Sequence, residues 1–102
     1  MARGYWIASV DVHDPEAYRR YIAANAVAFA KFGARFLVRG GESRLQEGSV
    51  RSRSVVLEFP SYQDALDCYD SPEYQEAKAL RLPHSDGDLV IVEGYDGPQP
   101  GN

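Results

Sequence analysis

Arg39 and Glu58 are the residues best placed for chemistry in this sequence, because each carries a charge near the end of a predicted strand. The two strand segments are Phe36-Leu37-Val38-Arg39 and Val55-Val56-Leu57-Glu58-Phe59. A guanidinium and a carboxylate held in one cavity can orient a carboxylate or enol ligand and help to move a proton. The same pair can instead be a salt bridge that fixes strand pairing, which is the commoner role of such pairs. Glu58 and Arg39 are therefore candidate catalytic residues, with the structural interpretation left open.

Further aromatic and basic side chains complete the predicted ligand-binding set, which is Tyr5, Arg39, Glu58, Tyr69, Tyr74 and Arg81. The tyrosines can line a pocket and offer phenolic hydrogen bonds. Taken singly, each is more often a core residue whose hydroxyl is satisfied. Arg81 can join the pocket from a helix, or it can interact with the C-terminal end of that helix.

The remaining reactive side chains do not indicate a metal or a cofactor. His13 precedes a predicted helix cap and His84 follows a proline in a turn, so we expect both to be loop residues. No close spacing of histidine and carboxylate is typical of a metal site. Cys68 lies beside an apolar helical face, which favours a buried, inert thiol. We therefore predict no metal and no cofactor.

Composition limits the classes of protein. A chain of 102 residues with 44% hydrophobic content is long enough for one core. We expect a single domain over residues 1–96 and a flexible tail over residues 97–102. The formal net charge of -4 would repel nucleic acid. The single cysteine, the absence of a signal-peptide pattern and the absence of a long apolar run predict a soluble, cytoplasmic protein without a membrane segment.

Two helical regions have clear boundary signals. Asp14-Pro15-Glu16 is typical of a helix start, and Gly33 is a suitable left-handed stop. Between them the apolar stripe of this helix includes one amide, Asn25. The second region starts at Ser61, but Ser71-Pro72 repeats the start signal, so we expect that helix to break and to continue at a new angle.

The strands and helices alternate in the order β-α-β-β-α-β. This order predicts an α+β, ferredoxin-like fold, with a four-stranded antiparallel sheet and both helices on one face. Period-two alternation places a mixed set of residues on the other, open face. That set is Tyr5, Ile7, Ser9 and Asp11 in the first strand, Arg35, Leu37 and Arg39 in the second, and Ser54, Val56 and Glu58 in the third. A face that is partly aliphatic and partly charged favours a partner subunit over bulk water.

The segment from Gly40 to Arg53 is a long connection for a hairpin and carries several arginines. Paired glycines after a strand indicate a bulge or a close backbone approach. We favour a solvated hairpin over an anion-binding surface. An arm that embraces a second subunit is compatible with either interpretation.

Several separated motifs resemble the family catalogued as domain of unknown function 1330, over Gly4 to about Gly94. They are Gly4-Tyr5-Trp6-Ile7, Asp14-Pro15-Glu16 with Tyr18, Arg35-Phe36-Leu37-Val38-Arg39-Gly40-Gly41, Glu58-Phe59-Pro60-Ser61, Ser71-Pro72-Glu73-Tyr74, Gly87-Asp88-Leu89-Val90 and Val92-Glu93-Gly94. The resemblance implies a dimeric α/β barrel, in which two ferredoxin-like subunits pack their open faces together. It implies no established reaction. Other branches of that superfamily include cofactor-free monooxygenases, lactone isomerases and haem peroxidases, and inference from them is analogy.

These observations together predict a homodimer, formed through the open sheet face, that binds a small organic molecule in a cleft between sheet and helices. The function is otherwise unassigned. One alternative is a cofactor-independent monooxygenase or isomerase acting on an activated ring or lactone, with Glu58 as base and Arg39 stabilising an enolate. Another is a purely structural dimer whose cavity is filled by its own side chains.

Overall fold

The computed structural model describes residues 2–101 and consists of a four-stranded antiparallel sheet with helices on one face. The elements are β1 Gly4–Val12, α1 Pro15–Lys31, β2 Arg35–Arg39, β3 Arg53–Phe59, α2 Tyr62–Asp70, α3 Pro72–Arg81 and β4 Ser85–Glu93. The strand order β2-β3-β1-β4 places the two central strands far apart in sequence. The predicted α+β, ferredoxin-like arrangement is confirmed. Within residues 2–101, no helix has the length and apolar character needed to cross a membrane.

The first helix begins and ends where its sequence signals predict. The Asp14 carboxylate accepts a hydrogen bond from the backbone N–H of Ala17 at 3.1 Å, and so satisfies one of the free donors of the first turn. Pro15 is the first helical residue. Gly33 follows the helix with φ of 71°, a left-handed conformation that glycine adopts without a steric penalty. The backbone then turns directly into β2.

The second helical region breaks at Ser71, as predicted. The Ser71 hydroxyl donates to the carbonyl of Cys68 at 2.7 Å and accepts from the N–H of Tyr74 at 3.2 Å. One buried side chain therefore closes α2 and caps α3. Because the axis changes direction here, α3 lies against α1 and carries Tyr74 and Arg81 to the side of the molecule where α1 packs.

The core lies between the helices and the covered face of the sheet, and Trp6 is at its centre. The Trp6 ring is 5.4 Å from the ring of Phe29 on α1 and 4.8 Å from that of Tyr74 on α3. Its indole N–H donates to the Ala65 carbonyl in α2 at 2.9 Å. The same residue therefore joins β1 to all three helices, and only 2% of it remains exposed.

A bulge in β2 changes the predicted distribution of its side chains. Phe36 pairs with Leu57, whereas Val38 pairs with Val56 and Arg39 with Val55, so Leu37 is an extra residue in the ladder. An extra residue reverses the alternation beyond it. Arg39 consequently lies on the helix-covered face with Val55. The prediction that Arg35, Leu37 and Arg39 share the open face is wrong for Arg39.

The open face carries an aliphatic row that crosses the whole sheet. Val38 pairs with Val56, Val56 with Ile7, and Ile7 with Val90, which joins all four strands. Val90 is 52% exposed and Ile7 is 46% exposed. No helix in the described part of the chain covers this row.

The connection from Gly41 to Ser52 contains neither helix nor strand and projects as an arm. It is attached at its C-terminal end, where Arg51 contacts Asp11 at 3.1 Å and Asp88 at 3.0 Å. The Ser52 N–H donates to the same Asp11 carboxylate. This hydrogen bond and the contact with Arg51 hold the pKa of Asp11 below its ordinary value. Leu45 and Val50 are more than half exposed on the arm.

The double role of Ser71 predicts a measurable loss of stability on its removal. Ser71→Ala should lower the free energy of unfolding by about 1–2 kcal/mol, because α3 loses its cap and a buried hydrogen bond. Urea denaturation followed by circular dichroism measures the change. Ser43→Ala, in the exposed arm, is the matched control and should be neutral. Equal stability of the two variants would contradict the capping role.

Candidate functional site

A cleft opens between the covered face of the sheet and helices α1 and α3. Its cavity volume is about 70 Å³. The apolar walls are formed by Trp6, Ala8, Val10, Ile22, Phe29, Phe36, Val55, Leu57 and Leu89. The polar groups that face the same space belong to Tyr18, Tyr21, Asn25, Arg39, Arg53, Tyr74 and Arg81. The cleft thus has an apolar floor with arginine and phenol groups around it.

Two of the arginines come from neighbouring strands. Arg39 pairs with Val55, and Arg53 lies two residues before Val55 on the same strand, so the arginines are diagonal neighbours on the covered face. The Arg39 guanidinium lies 4.1 Å from the centre of the Phe36 ring. Gly40 has φ of 67°, and a Cβ at this position would collide with the Arg53 guanidinium. A glycine after β2 therefore leaves room for Arg53.

The helical wall presents a hydrogen-bonded pair of phenols and a third arginine. The hydroxyls of Tyr21 and Tyr74 are 2.9 Å apart, and the Arg81 guanidinium approaches the Tyr74 hydroxyl at 3.4 Å. The guanidinium also lies over the Tyr21 ring at 5.5 Å. Burial raises the pKa of Tyr21 and the pKa of Tyr74 above the ordinary value. Both phenols are therefore neutral hydrogen-bonding groups at physiological pH.

The charges of the cleft are not balanced by carboxylates. Among residues 2–101, no carboxylate lies within ion-pair distance of Arg39, Arg53 or Arg81. Asp88 borders the cleft, but it pairs with Ser9, so its carboxylate lies on the open face, where it is 76% exposed and contacts Arg51. The cleft is therefore a positive region in a protein of net charge -4.

Glu58 and Tyr5 lie on the open face, on the other side of the sheet from the cleft. The Tyr5 hydroxyl donates to Glu58 at 2.9 Å, and Arg35 lies 3.7 Å from the same carboxylate. The bulge at Leu37 is the reason that Arg39 is absent from this group. The predicted cavity that holds Arg39 and Glu58 together is therefore wrong, and so is a mechanism that uses the two in concert.

Of the six predicted ligand-binding residues, Arg39, Tyr74 and Arg81 line the cleft. Tyr69 does not, because its ring packs 5.8 Å from Trp6 and is covered by the Lys78 ammonium at 5.1 Å. The helical break at Ser71 separates Tyr69 from the other helical residues of the set. Tyr69 remains on α2, while α3 carries Tyr74 and Arg81 towards α1.

Residues 3–95 match the family described as domain of unknown function (DUF1330). The chain belongs to this family. No curated protein matches the sequence. The family membership predicted from the separated motifs is confirmed, and it brings no established activity with it.

Solved structures of low sequence identity share the DUF1330 domain's fold. A protein of unknown function from Rhodopseudomonas palustris is 18% identical, with a TM-score of 0.71 over 94% of this chain and 85% of that one. A dimeric ferredoxin-like protein of unknown function from Thermobifida fusca is 20% identical, with a TM-score of 0.61 over 90% and 91% of the two chains. SnoaB, a cofactor-independent oxygenase from Streptomyces nogalater, is 13% identical, with a TM-score of 0.62 over 100% of both chains. At these identities the similarity shows the fold alone.

The sequence interpretation of the DUF1330 chain missed several cleft residues. The sequence places Arg53 at the end of the long connection. In the alternation of β3, however, Arg53 is on the same face as Val55 and Leu57, and it lines the cleft with them. Asn25, the amide within the apolar stripe of α1, is only 5% exposed and lines the cleft. Extending the side-chain alternation of β3 back by two residues from Val55 would have placed Arg53 on the covered face. Which stripe residues reach a cavity depends on the packing of α1 and α3.

The histidines and the cysteine of the DUF1330 chain lie away from the cleft lining. His13 is exposed and contacts Asp86 at 2.7 Å. Within residues 2–101, no group of three histidine, cysteine or acidic side chains could hold a metal ion. Cys68 is fully buried, and burial raises the pKa of its thiol to about 12.

Cys68 should therefore react slowly with thiol reagents while the protein is folded. At about pH 8 the raised pKa leaves roughly a thousandfold less thiolate than in the unfolded chain, and burial blocks access as well. The rate of alkylation by iodoacetamide, compared in buffer and in concentrated urea, measures this. Because Cys68 is the only cysteine, the label reports one site. Comparable rates in both solvents would show that the thiol is not buried.

Proposed function

We propose that this DUF1330 protein binds a small organic molecule in the cleft between its sheet and its helices. The observation that carries the proposal is a cavity with apolar walls, towards which phenol and guanidinium groups converge. Binding sites for small molecules have this composition, in which apolar walls provide contact area and a few polar groups fix orientation. Arg39, Tyr74 and Arg81 of the predicted set contribute to it. Tyr5, Glu58 and Tyr69 lie elsewhere and are not included.

The size of the cavity limits the ligand. One water molecule needs about 10–15 Å³ of such volume. The 70 Å³ of the cleft therefore corresponds to several water molecules, or to a compact ligand that protrudes through the open mouth. This space also counts against a purely structural dimer, for which the protein's own side chains would fill the cavity.

Catalysis in the manner of a cofactor-independent monooxygenase or isomerase is not favoured. Such a reaction needs a base beside the substrate, and Glu58 lies on the other face of the sheet. Asp88 is exposed and paired with Arg51. The phenols of Tyr21 and Tyr74 have raised pKa values and are poor bases at neutral pH.

A larger side chain on the floor of the cleft should weaken the binding of small molecules. Ala8 is one of the small residues of the floor, so Ala8→Leu places a larger side chain in the ligand's space. Compounds that bind to the wild-type protein in a fragment screen, detected by shifts of amide NMR signals, should bind to this variant at least about tenfold more weakly. Ala23→Leu, on the exposed side of α1, is the matched control. Unchanged binding to Ala8→Leu would refute the proposed site.

We also propose that two subunits associate through the open sheet face. The row Val38, Val56, Ile7 and Val90 presents exposed aliphatic surface across all four strands, which is unusual for a monomer. The Tyr5, Glu58 and Arg35 group lies next to this row and would supply polar contacts at the interface. The Thermobifida fusca protein of the same fold is dimeric. The exposed Leu45 and Val50 would allow the arm to contact the second subunit.

A charge placed in the aliphatic row should dissociate the proposed dimer. Ile7→Glu should raise the dissociation constant at least about tenfold, since burying an unpaired carboxylate costs several kcal/mol. Sedimentation velocity over a range of concentrations measures the constant. Val27→Glu adds the same charge to α1, at a position that is 62% exposed, and should leave association unchanged. A wild-type protein that is monomeric at micromolar concentration would contradict the proposal.

A further inference from the structure

We propose that the ligand of the cleft is an organic carboxylate with a compact apolar body, bound by Arg39, Arg53 and Arg81. This inference rests on the proposed binding function and specifies the chemical class of the ligand. The apolar body would lie on the floor formed by Val10, Val55 and their neighbours, and the carboxylate would lie among the guanidinium groups.

The three arginines reach the cleft from two layers of the fold. Arg39 and Arg53 extend from adjacent strands, and Arg81 comes from the last residue of α3. Arg53 and Arg81 line the same cleft as the Tyr18 phenol. An anion in the cleft would therefore be contacted from the sheet and from the helices.

Among residues 2–101, these arginines have no anionic partner. Arg53 Nε is buried and, within the described residues, has no hydrogen-bond partner. Buried donors are nearly always satisfied, so Arg53 Nε is open to an acceptor from outside the described residues. Outside the cleft, Arg3, Arg35 and Arg51 have carboxylate partners, while Arg19, Arg20 and Arg44 have none among residues 2–101 but are exposed to solvent. Arg53 and Arg81 differ from both groups because they are unpaired and also partly buried.

The phenol pair supplies one further donor. Tyr21 and Tyr74 hold two hydroxyl protons between them, and their mutual hydrogen bond uses one. Arg81 donates its own guanidinium protons to the Tyr74 oxygen, so this contact uses neither phenolic proton. One phenolic proton remains for an outside acceptor, and a carboxylate oxygen is a strong one.

The shape and polarity of the site favour a carboxylate over a phosphate. A planar carboxylate matches the fork of a guanidinium. Inorganic phosphate would satisfy the charges but would leave the apolar floor uncovered. A neutral molecule of the same shape would cover the floor and leave the arginines unpaired. The ligand needs both an anionic end and an apolar end.

Calorimetric titration with three probes tests this proposal on the full chain. Benzoate should bind, while its neutral isostere benzamide and inorganic phosphate should each bind at least about tenfold more weakly. Arg53→Met and Arg81→Met should each weaken benzoate binding by at least about tenfold. Arg20→Met, on the exposed surface of α1, should bind benzoate as the wild type does.

The outcomes separate this inference from the proposed function. Equal binding of benzamide and benzoate would overturn the anionic class but would support a cleft for small molecules. Tighter binding of phosphate would overturn the carboxylate class. If benzoate fails to bind while other fragments occupy the cleft, the inference fails alone. If no compound of any class shifts cleft signals, the proposed function fails as well.

Thermal stability without ligand provides an independent check. A guanidinium with no partner, held near two others, destabilises the free protein. Arg53→Met should therefore leave the melting temperature unchanged or raise it while it weakens benzoate binding. A lowered melting temperature together with unchanged benzoate binding would show that Arg53 is structural and would overturn its role.

Discussion

The packing of Trp6 between the sheet and the helices is the interaction on which the rest of the structure depends. Its ring contacts aromatic side chains of α1, α2 and α3, and its N–H is bonded within α2. This cluster holds the two layers together at the centre of the core. Beside it the floor of the cleft includes smaller residues, among them Ala8 and Gly87, and the layers do not close on each other there. The cleft is the space left by that difference in side-chain size.

The distribution of charge follows from the same two-layer arrangement. Several carboxylates outside the cleft are engaged, as Glu73 is with Lys31 and Glu58 is with Tyr5. The arginines of the cleft lie on the helix side of the sheet, where no carboxylate of residues 2–101 pairs with them. An acidic protein thereby contains a positive site. The surrounding apolar walls reduce the screening of that charge by water.

The two faces of the sheet have separate properties. The covered face holds the core and the cleft, while the open face holds an aliphatic row and the group around Glu58. Because every strand alternates its side chains, neighbouring residues such as Glu58 and Leu57 belong to different environments. A ligand in the cleft and a partner on the open face could therefore be accommodated together, since each uses a different set of residues.

The order of the elements and the starts of the helices can be predicted from the sequence alone, because Asp14, Ser61 and Ser71 cap helices through contacts only three residues away. Those signals are local and can be read without the fold. The lining of the cleft, in contrast, depends on how the strands pair and how the two layers pack. A single extra residue in β2 moved Arg39 to the covered face, and that bulge is visible only in the pairing of β2 with β3. Arg53 and Arg81 line one cleft because two layers pack together, a relation between distant segments that no local pattern contains.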